Sequence, residues 1–203
     1  SIAVAFSRNP MNLANVAYDL QLLSKGRFIL GLGSQIRPHI TKRFSMPWSK
    51  PAARMEDMVT AIKAILNAWQ NESRLEHRGE FYNHTLMTPL FNPGPNPFGI
   101  PKIYVAAVGP LMTKAVARSA DGLLAHPFNT PTYLKNITLP LIDEALSSVN
   151  KQKDAFDLSI SVMTGIGATE ESHKKAVRAC RDQVAFYAST PNYKAVLELH
   201  GYE

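Results

Sequence analysis

Residues 102–110 read KIYVAAVGP, and the junction inside this stretch decides the fold. Lys102 to Ala107 is an apolar, strand-like run, and Gly109-Pro110 follows at once, with a proline suited to the first turn of a helix. The helix is expected to end near Asp121-Gly122, after which Leu123 to His126 forms another short strand. The stretch is therefore one strand–helix–strand unit of the kind that builds parallel sheets.

The same alternation continues on both sides of this unit. The sequence predicts further strands at Ile2–Phe6, Arg27–Leu32 and Leu158–Gly165, helices opened by Asn9-Pro10, Pro51, Thr130-Pro131 and Thr169, and a hairpin with an irregular excursion over residues 73–99. Five such units fit a doubly wound sheet or part of a (β/α)₈ barrel, which needs eight units in about 250 residues. As a barrel, residues 1–203 would be a single partial domain with units missing at both ends, and we expect this span alone to be unstable because its edge strands are open.

Two of the predicted helices carry an apolar stripe. In the first helix the stripe is Leu13, Val16, Ala17, Leu20 and Leu23, and in the second it is Met55, Met58, Val59, Ile62, Ile65, Leu66 and Trp69. Side chains at this spacing lie on one face of a helix, so both sets are expected to be buried.

Composition narrows the class of protein. The chain is 45% hydrophobic and 19% charged, with a net charge of +6, but its basic residues are spread out, which favours a mildly basic enzyme surface over a nucleic-acid partner. No apolar run approaches the length of a membrane span, and no signal peptide is visible, although Ser1 falls within a strand-like run. We therefore expect a cytoplasmic protein with a small-molecule substrate and no membrane partner, and a homo-oligomer is compatible with the sequence.

Cys180 has no disulfide partner, and its amphipathic surroundings predict a buried thiol.

The strand ends carry the candidate binding features. Gly31-Leu32-Gly33 lacks the third glycine of a dinucleotide fingerprint, but its glycines would let a strand end approach a ligand closely. At Ala106 to Pro110, backbone N–H groups and the positive end of a helix dipole converge, which suits a phosphate; a plain tight turn is the alternative.

The segment 37–48 mixes cations with large apolar side chains. Arg37, Lys42 and Arg43 could bind an acidic ligand, or the loop could be solvated with Phe44 and Trp48 anchored in the core. His126 ends a strand and is expected to face the edge of the sheet where the other strands end. Both a structural and a functional role are compatible with the sequence. The sequence has no metal-binding spacing and no nucleophile elbow, so a bound cofactor is expected to do the chemistry, and the catalytic residues are unknown.

Three stretches together resemble the bacterial-luciferase-like monooxygenase family. They are LSKGRFILGLGS at 23–34, PAARME at 51–56, and PKIYVAAVGP at 101–110 continuing to the Ala-Asp-Gly of 120–122. The resemblance implies a (β/α)₈ TIM barrel of which this chain holds strands similar to the third to the seventh. It also implies a flavin or deazaflavin ring at the C-terminal mouth of the barrel.

The resemblance implies roles for particular residues. Ser1 and Ile2 match a strand bulge that supports the ring, Ser34 a cofactor contact, Ala107, Val108 and Gly109 the cofactor phosphate site, and His126 a position near the cofactor. Ile36 and Asn129 replace the acid and the lysine of members that oxidise sugar phosphates, which disfavours that activity.

The sequence of residues 43–48 is more similar to the branch of the family that uses the deazaflavin coenzyme F420 than to the branch that uses FMN. The expected activity is hydride transfer between coenzyme F420 and an unknown organic substrate. The alternatives are a two-component monooxygenase using FMN and a non-catalytic homologue that binds the cofactor.

Overall fold

Strands and helices alternate along the chain in the computed structural model, which describes residues 2–202 with the side chain at position 192 excepted. In chain order the elements are β1 (Ala3–Val4), α1 (Pro10–Leu23), β2 (Ile29–Gly33), α2 (Pro51–Gln70), β3 (His77–Arg78), β4 (Asn83–His84), β5 (Lys102–Ala107), α3 (Pro110–Ser119), β6 (Gly122–Ala125), α4 (Pro131–Tyr133), α5 (Leu139–Ser148), β7 (Asp157–Ile160), α6 (Glu170–Ala188) and α7 (Lys194–Glu198). Strands β1, β2, β5, β6 and β7 form one parallel sheet in that spatial order, and β3 pairs with β4 in an antiparallel ribbon. The predicted α/β architecture is confirmed.

The two outer strands of this sheet are shorter than the sequence predicted. Only Ala3–Val4 of the first run pairs, because the chain turns into a 3₁₀ turn at Ala5–Ser7, where the Ser7 hydroxyl donates to the Val4 carbonyl at 2.9 Å. The strand expected at residues 158–165 pairs only over Asp157–Ile160. Each of these strands has one neighbouring strand in the described sheet, so its backbone forms fewer inter-strand hydrogen bonds than that of the central strands.

The helix predicted from Pro131 to about Asn150 is divided in the structure. Between α4 and α5 lies a π-helical turn at Leu134–Thr138, and α5 ends at Ser148. Pro140 has no N–H to donate to the preceding turn, which accounts for the wider winding just before it.

The buried face of α2 is the one predicted, whereas that of α1 is not. All seven stripe residues of α2 are at most 1% exposed. In α1, Leu13 and Ala17 are buried, but Val16 is 50% and Leu23 77% exposed. The helix instead turns Tyr18 inward, and its hydroxyl donates to the Gly94 carbonyl at 3.0 Å. A polar side chain with a hydrogen-bond partner far along the chain has displaced part of the aliphatic stripe.

Helix α6 has no buried residue among those described, so the prediction of a buried Cys180 is wrong. The thiol is half-buried and lines an open groove with Met163, Val177 and Val184. In the part of the chain that the structure describes, no helix is long and apolar enough to cross a bilayer.

Candidate functional site

The C-terminal ends of the parallel strands share one edge of the sheet, which we call the mouth. Val4 pairs with Gly33, Leu32 with Val105, and Ala107 with Ala125. The connections that follow these strands therefore meet at the mouth, where ligands bind in parallel α/β proteins. Most of the predicted site residues lie in these connections, whereas Ala107 is the last residue of β5 and Ile2 precedes β1.

The turn between β5 and α3 has the geometry of an anion site. Gly109 is the N-cap residue of α3, with a φ of 81°, in a region that only glycine enters without strain. Among the described atoms, a Cβ added to Gly109 would meet nothing within 4 Å, so the space before the helix is open. The N–H groups of Leu111 and Met112 belong to the first turn and have no acceptor within the helix. The carbonyl of Gly109 is held by the Thr113 hydroxyl at 2.9 Å, which fixes the turn.

A narrow cavity joins this turn to His126. Ala107, Val108, Gly109 and His126 all line it, so the structure brings together four of the residues predicted from sequence. Ala107 is buried, whereas Val108 is 40% exposed and lies at the rim. Tyr193, Ala195 and Val196 of the C-terminal segment also line this cavity.

His126 is held as a neutral imidazole. Its Nδ1 accepts the Phe128 N–H at 3.1 Å, which leaves the proton on Nε2. Burial lowers the pKa of His126, because the charged form loses hydration. The ring stacks on Tyr193, with centroids 4.3 Å apart and planes at 20°, and meets Tyr187 edge-on at 4.5 Å. His126 can therefore offer one N–H donor from an aromatic enclosure at neutral pH.

Sequence reasoning missed Tyr187 and Tyr193, which complete this enclosure. Both lie far from His126 along the chain, beside the Pro191 turn that ends α6 and returns the chain toward the mouth. The signal available was two tyrosines flanking a Ser-Thr-Pro turn, a pattern too common to assign to a site.

Ile2, Gly33 and Ser34 form a second part of the mouth. A Cβ on Gly33 would lie 2.3 Å from Ile2 Cδ1 and 3.8 Å from Ala106 Cβ, so the absence of a side chain lets the three strand ends approach. Ser34 is half-buried, and its hydroxyl donates to the Gln35 carbonyl at 3.1 Å. Ser1 lies outside the described residues, and its cofactor contact stays a prediction. Ile2, Gly33 and Ser34 form the floor of this part of the mouth, and Ala106 of β5 lies beside it.

The segment after Gly33 has its aromatic side chains anchored in the core and its cations exposed, and binding of an acidic ligand by these cations stays a prediction. Phe44 and Trp48 pack against the core, and Trp48 meets Phe6 edge-on with centroids 5.7 Å apart. Within residues 2–202, Arg37, Lys42 and Arg43 are exposed and form no ion pair. Lys42 and Arg43 end a π-helical turn, His39–Arg43, anchored by the buried Ile40. The apolar side chains hold the loop, and its cations are exposed.

Comparison with known proteins decides the family. The family model described as luciferase-like monooxygenase matches residues 1–203. The chain belongs to the luciferase-like monooxygenase family. A relative from Mycobacterium tuberculosis, an uncharacterised protein, is 50% identical over 202 residues, which cover 100% of this chain and 59% of the relative. The chain thus spans about three-fifths of that relative's length.

Solved structures of this family share the fold. The coenzyme F420-dependent tetrahydromethanopterin reductase from Methanopyrus kandleri superimposes with a TM-score of 0.75 at 22% identity, covering 100% of this chain and 58% of the reductase. A monooxygenase from Streptomyces bottropensis gives a TM-score of 0.69 at 23% identity, covering 98% of this chain and 59% of the monooxygenase. The five parallel strands are thus part of a TIM barrel, incomplete in this chain.

The matching structures include a coenzyme F420-dependent reductase and a monooxygenase. The residues that could hold a cofactor in this chain are small or neutral: Gly33, Ser34, Val108, Gly109 and His126. Among residues 2–202, no three His, Cys, Asp or Glu side chains are arranged as a metal-binding group.

Proposed function

We propose that this chain forms the cofactor-binding mouth of an oxidoreductase that transfers hydride between coenzyme F420 and a small organic substrate. The observation that carries the proposal is the open turn at Gly109 beside the neutral ring of His126. The proposal includes a single barrel domain to which residues 1–203 contribute, a cytoplasmic location, no nucleic-acid or membrane partner, and room for a homo-oligomer.

The residues at the mouth fit such a cofactor. The N–H groups of Val108, Gly109 and Leu111 would bind the phosphate, supported by the dipole of the ten-residue helix α3. The floor at Ile2, Gly33 and Ser34 would support the flat ring, with Ser1 as a further contact. When bound, the deazaflavin supplies the carbon that accepts or donates a hydride. The aromatic enclosure of His126 would exclude water from the phosphate end.

The exposed cations favour the deazaflavin coenzyme over FMN. Coenzyme F420 carries an acidic tail beyond its phosphate, whereas FMN ends at the phosphate. Arg37, Lys42 and Arg43 lie after β2, next to β5 at the same edge of the sheet, and form no ion pair within the described residues. A tail leaving the mouth on that side would meet three positive charges.

A two-component monooxygenase using FMN is the second candidate. The turn at Gly109 would accept the phosphate of either cofactor, because backbone N–H groups do not distinguish what the phosphate is attached to. If FMN is the cofactor, Arg37, Lys42 and Arg43 are solvated surface residues without a role in binding.

Titration of the purified protein with each cofactor tests the proposal. We expect coenzyme F420 to bind at least about tenfold more tightly than FMN, followed by its own absorbance and fluorescence. Tighter binding of FMN would favour the monooxygenase, and no binding of either would contradict both. Binding of the deazaflavin without turnover of any tested substrate would indicate the non-catalytic homologue.

A further inference from the structure

The guanidinium of Arg54 is buried between the connections that follow β1 and β2. The residue is 7% exposed and lies in the first turns of α2. Nη1 donates to the Pro47 carbonyl at 2.7 Å, Nε donates to the Tyr82 hydroxyl at 2.9 Å, and the guanidinium lies 4.7 Å from the centroid of the Phe6 ring. Within residues 2–202 it pairs with no carboxylate, so a carbonyl, a phenol and a ring face take the place of a counter-ion. A buried charge held in this way fixes the position of each partner.

The Pro47 contact fixes the connection that leaves β2. Pro47 follows Met46, whose N–H donates to the Ile40 carbonyl at 3.0 Å. Ile40 is fully buried, so the segment is pinned at Ile40 and again at Pro47. Between these points lie Lys42 and Arg43, and before them lies Ser34.

The Phe6 contact fixes the connection that leaves β1. Phe6 is fully buried two residues after the strand ends at Val4, and Trp48 packs on its edge. One guanidinium therefore contacts the connection after β1 at Phe6 and the connection after β2 at Pro47. Of the predicted ring contacts, Ile2 lies immediately before β1, and Ser34 begins the connection after β2.

The Tyr82 contact ties the guanidinium to a rigid support. Asp57, one turn after Arg54 on α2, accepts the N–H groups of Phe81 at 2.6 Å and Tyr82 at 3.1 Å. These bonds dock the β3–β4 ribbon on α2 and present the Tyr82 hydroxyl to Arg54. Burial raises the pKa of Tyr82, so the hydroxyl is neutral.

We infer that Arg54 is a positioning residue for cofactor binding: it holds the connections after β1 and β2 in the binding arrangement without touching the cofactor. The inference rests on the proposed function. Lysine cannot replace it, because one ammonium group cannot donate in both directions of the guanidinium fork while stacking on Phe6.

Arg54→Lys tests this role, with Arg118→Lys as the matched control. Arg118 donates to both carboxylate oxygens of Glu56, at 2.8 and 2.6 Å, and thereby ties α2 to α3 without contacting either connection. For each variant, the dissociation constant for coenzyme F420, the melting temperature and hydrogen exchange at the Met46 amide are measured on the full protein. We expect Arg54→Lys to weaken binding tenfold or more and to speed exchange at Met46, and Arg118→Lys to do neither.

The outcomes separate this inference from the proposed function. If the wild-type protein binds coenzyme F420 and Arg54→Lys binds equally well, the positioning role is wrong and the proposed function stands. Equal losses in both variants would indicate a general loss of stability and would also overturn the role. If the wild-type protein binds FMN in place of coenzyme F420, the proposed function fails and the same comparison is made with FMN. If it binds neither cofactor, both ideas fail.

Tyr82→Phe provides a second variant should Arg54→Lys not fold. It removes one acceptor of the guanidinium and leaves the ring, the charge and the Asp57 bonds in place. We expect a smaller loss, about threefold in affinity, with faster exchange at Met46. Unchanged affinity and exchange in this variant contradict the inference.

Discussion

Helices α2 and α6 are nearly equal in length and both are amphipathic, yet they differ completely in burial. Ten of the 20 residues of α2 are buried, and none of the 19 residues of α6. α2 packs between α1 and α3, whereas α6 follows the edge strand β7 and turns its apolar side chains toward an open groove. An apolar stripe predicts a helix, but its neighbours decide whether the stripe is buried.

The candidate site draws on both a well-packed part of the chain and the more open C-terminal part. The central sheet and α3 supply Gly109 and His126, and the C-terminal region supplies Tyr187 and Tyr193. The predicted phosphate turn therefore belongs to the well-packed part of the chain, and the tyrosines that contact His126 belong to the more open C-terminal part. Stability and cofactor affinity are expected to respond to different substitutions.

The largest expected effect is on the stability of the buried helix. Ile62→Ala should lower the free energy of unfolding by about 2–5 kcal/mol, because it leaves a cavity among side chains that cannot collapse fully. Ile62 is fully buried, whereas Val184 on α6 is 40% exposed, and Val184→Ala should change stability by about 0.5 kcal/mol or less. Denaturant unfolding of both variants checks the difference. Similar losses would mean that α6 is covered in solution.

The next largest effect separates affinity from stability at the turn. Gly109→Leu forces a side chain into the open space before α3 and strains a φ of 81° by about 1–3 kcal/mol. Loss of one or two charge-assisted hydrogen bonds would weaken cofactor binding about ten- to a thousandfold. Val108→Ala keeps the same N–H groups and is the control. Cofactor affinity and melting temperature are measured for both variants. Near-normal affinity in Gly109→Leu would show that the cofactor phosphate does not bind at this turn.

The site was predictable where its physics is local. The turn at Gly109 follows from a strand ending in small residues before a helix, and the structure has that turn where the sequence predicted it, whereas its binding of a phosphate stays a prediction. The stripe of α2 was predictable for the same reason, since its side chains have no polar competitor. In α1, by contrast, Tyr18 is buried because Gly94, far along the chain, offers its hydroxyl a partner. The stacking of Tyr193 on His126 likewise depends on how the chain returns after α6, which no local pattern specifies.

A smaller effect is expected at the exposed cations of the mouth. Replacing Arg37, Lys42 and Arg43 together by Ala removes three charges that pair with no carboxylate within residues 2–202, so the melting temperature should change little. Affinity for coenzyme F420 should fall by about 1 kcal/mol for the set at low ionic strength, and the difference should shrink with added salt. Affinity for FMN serves as the control and should stay the same. An unaltered dissociation constant at low salt would show that these cations are solvated surface residues that do not contact the cofactor.

The smallest effect concerns His84 on β4, part of the ribbon that docks on α2. Its Nε2 is buried without a hydrogen-bond partner in the described structure. Burial, and then repulsion from His77, lower the pKa of His84 below the usual 6.5, while Asp57 acts in the opposite direction. The unfolded chain therefore takes up the proton first as the pH falls below 6.5, and folding stability falls with it.

Replacing His84 removes this titration. We expect His84→Gln to flatten the decline in melting temperature between about pH 7 and 5 relative to the wild type. His173→Gln on α6 is the control, because that imidazole is exposed and a glutamine there should leave the profile unchanged. Melting curves of the three proteins across the range give the result. A decline of equal slope in all three would show that folding does not lower the pKa of His84, and would contradict the prediction.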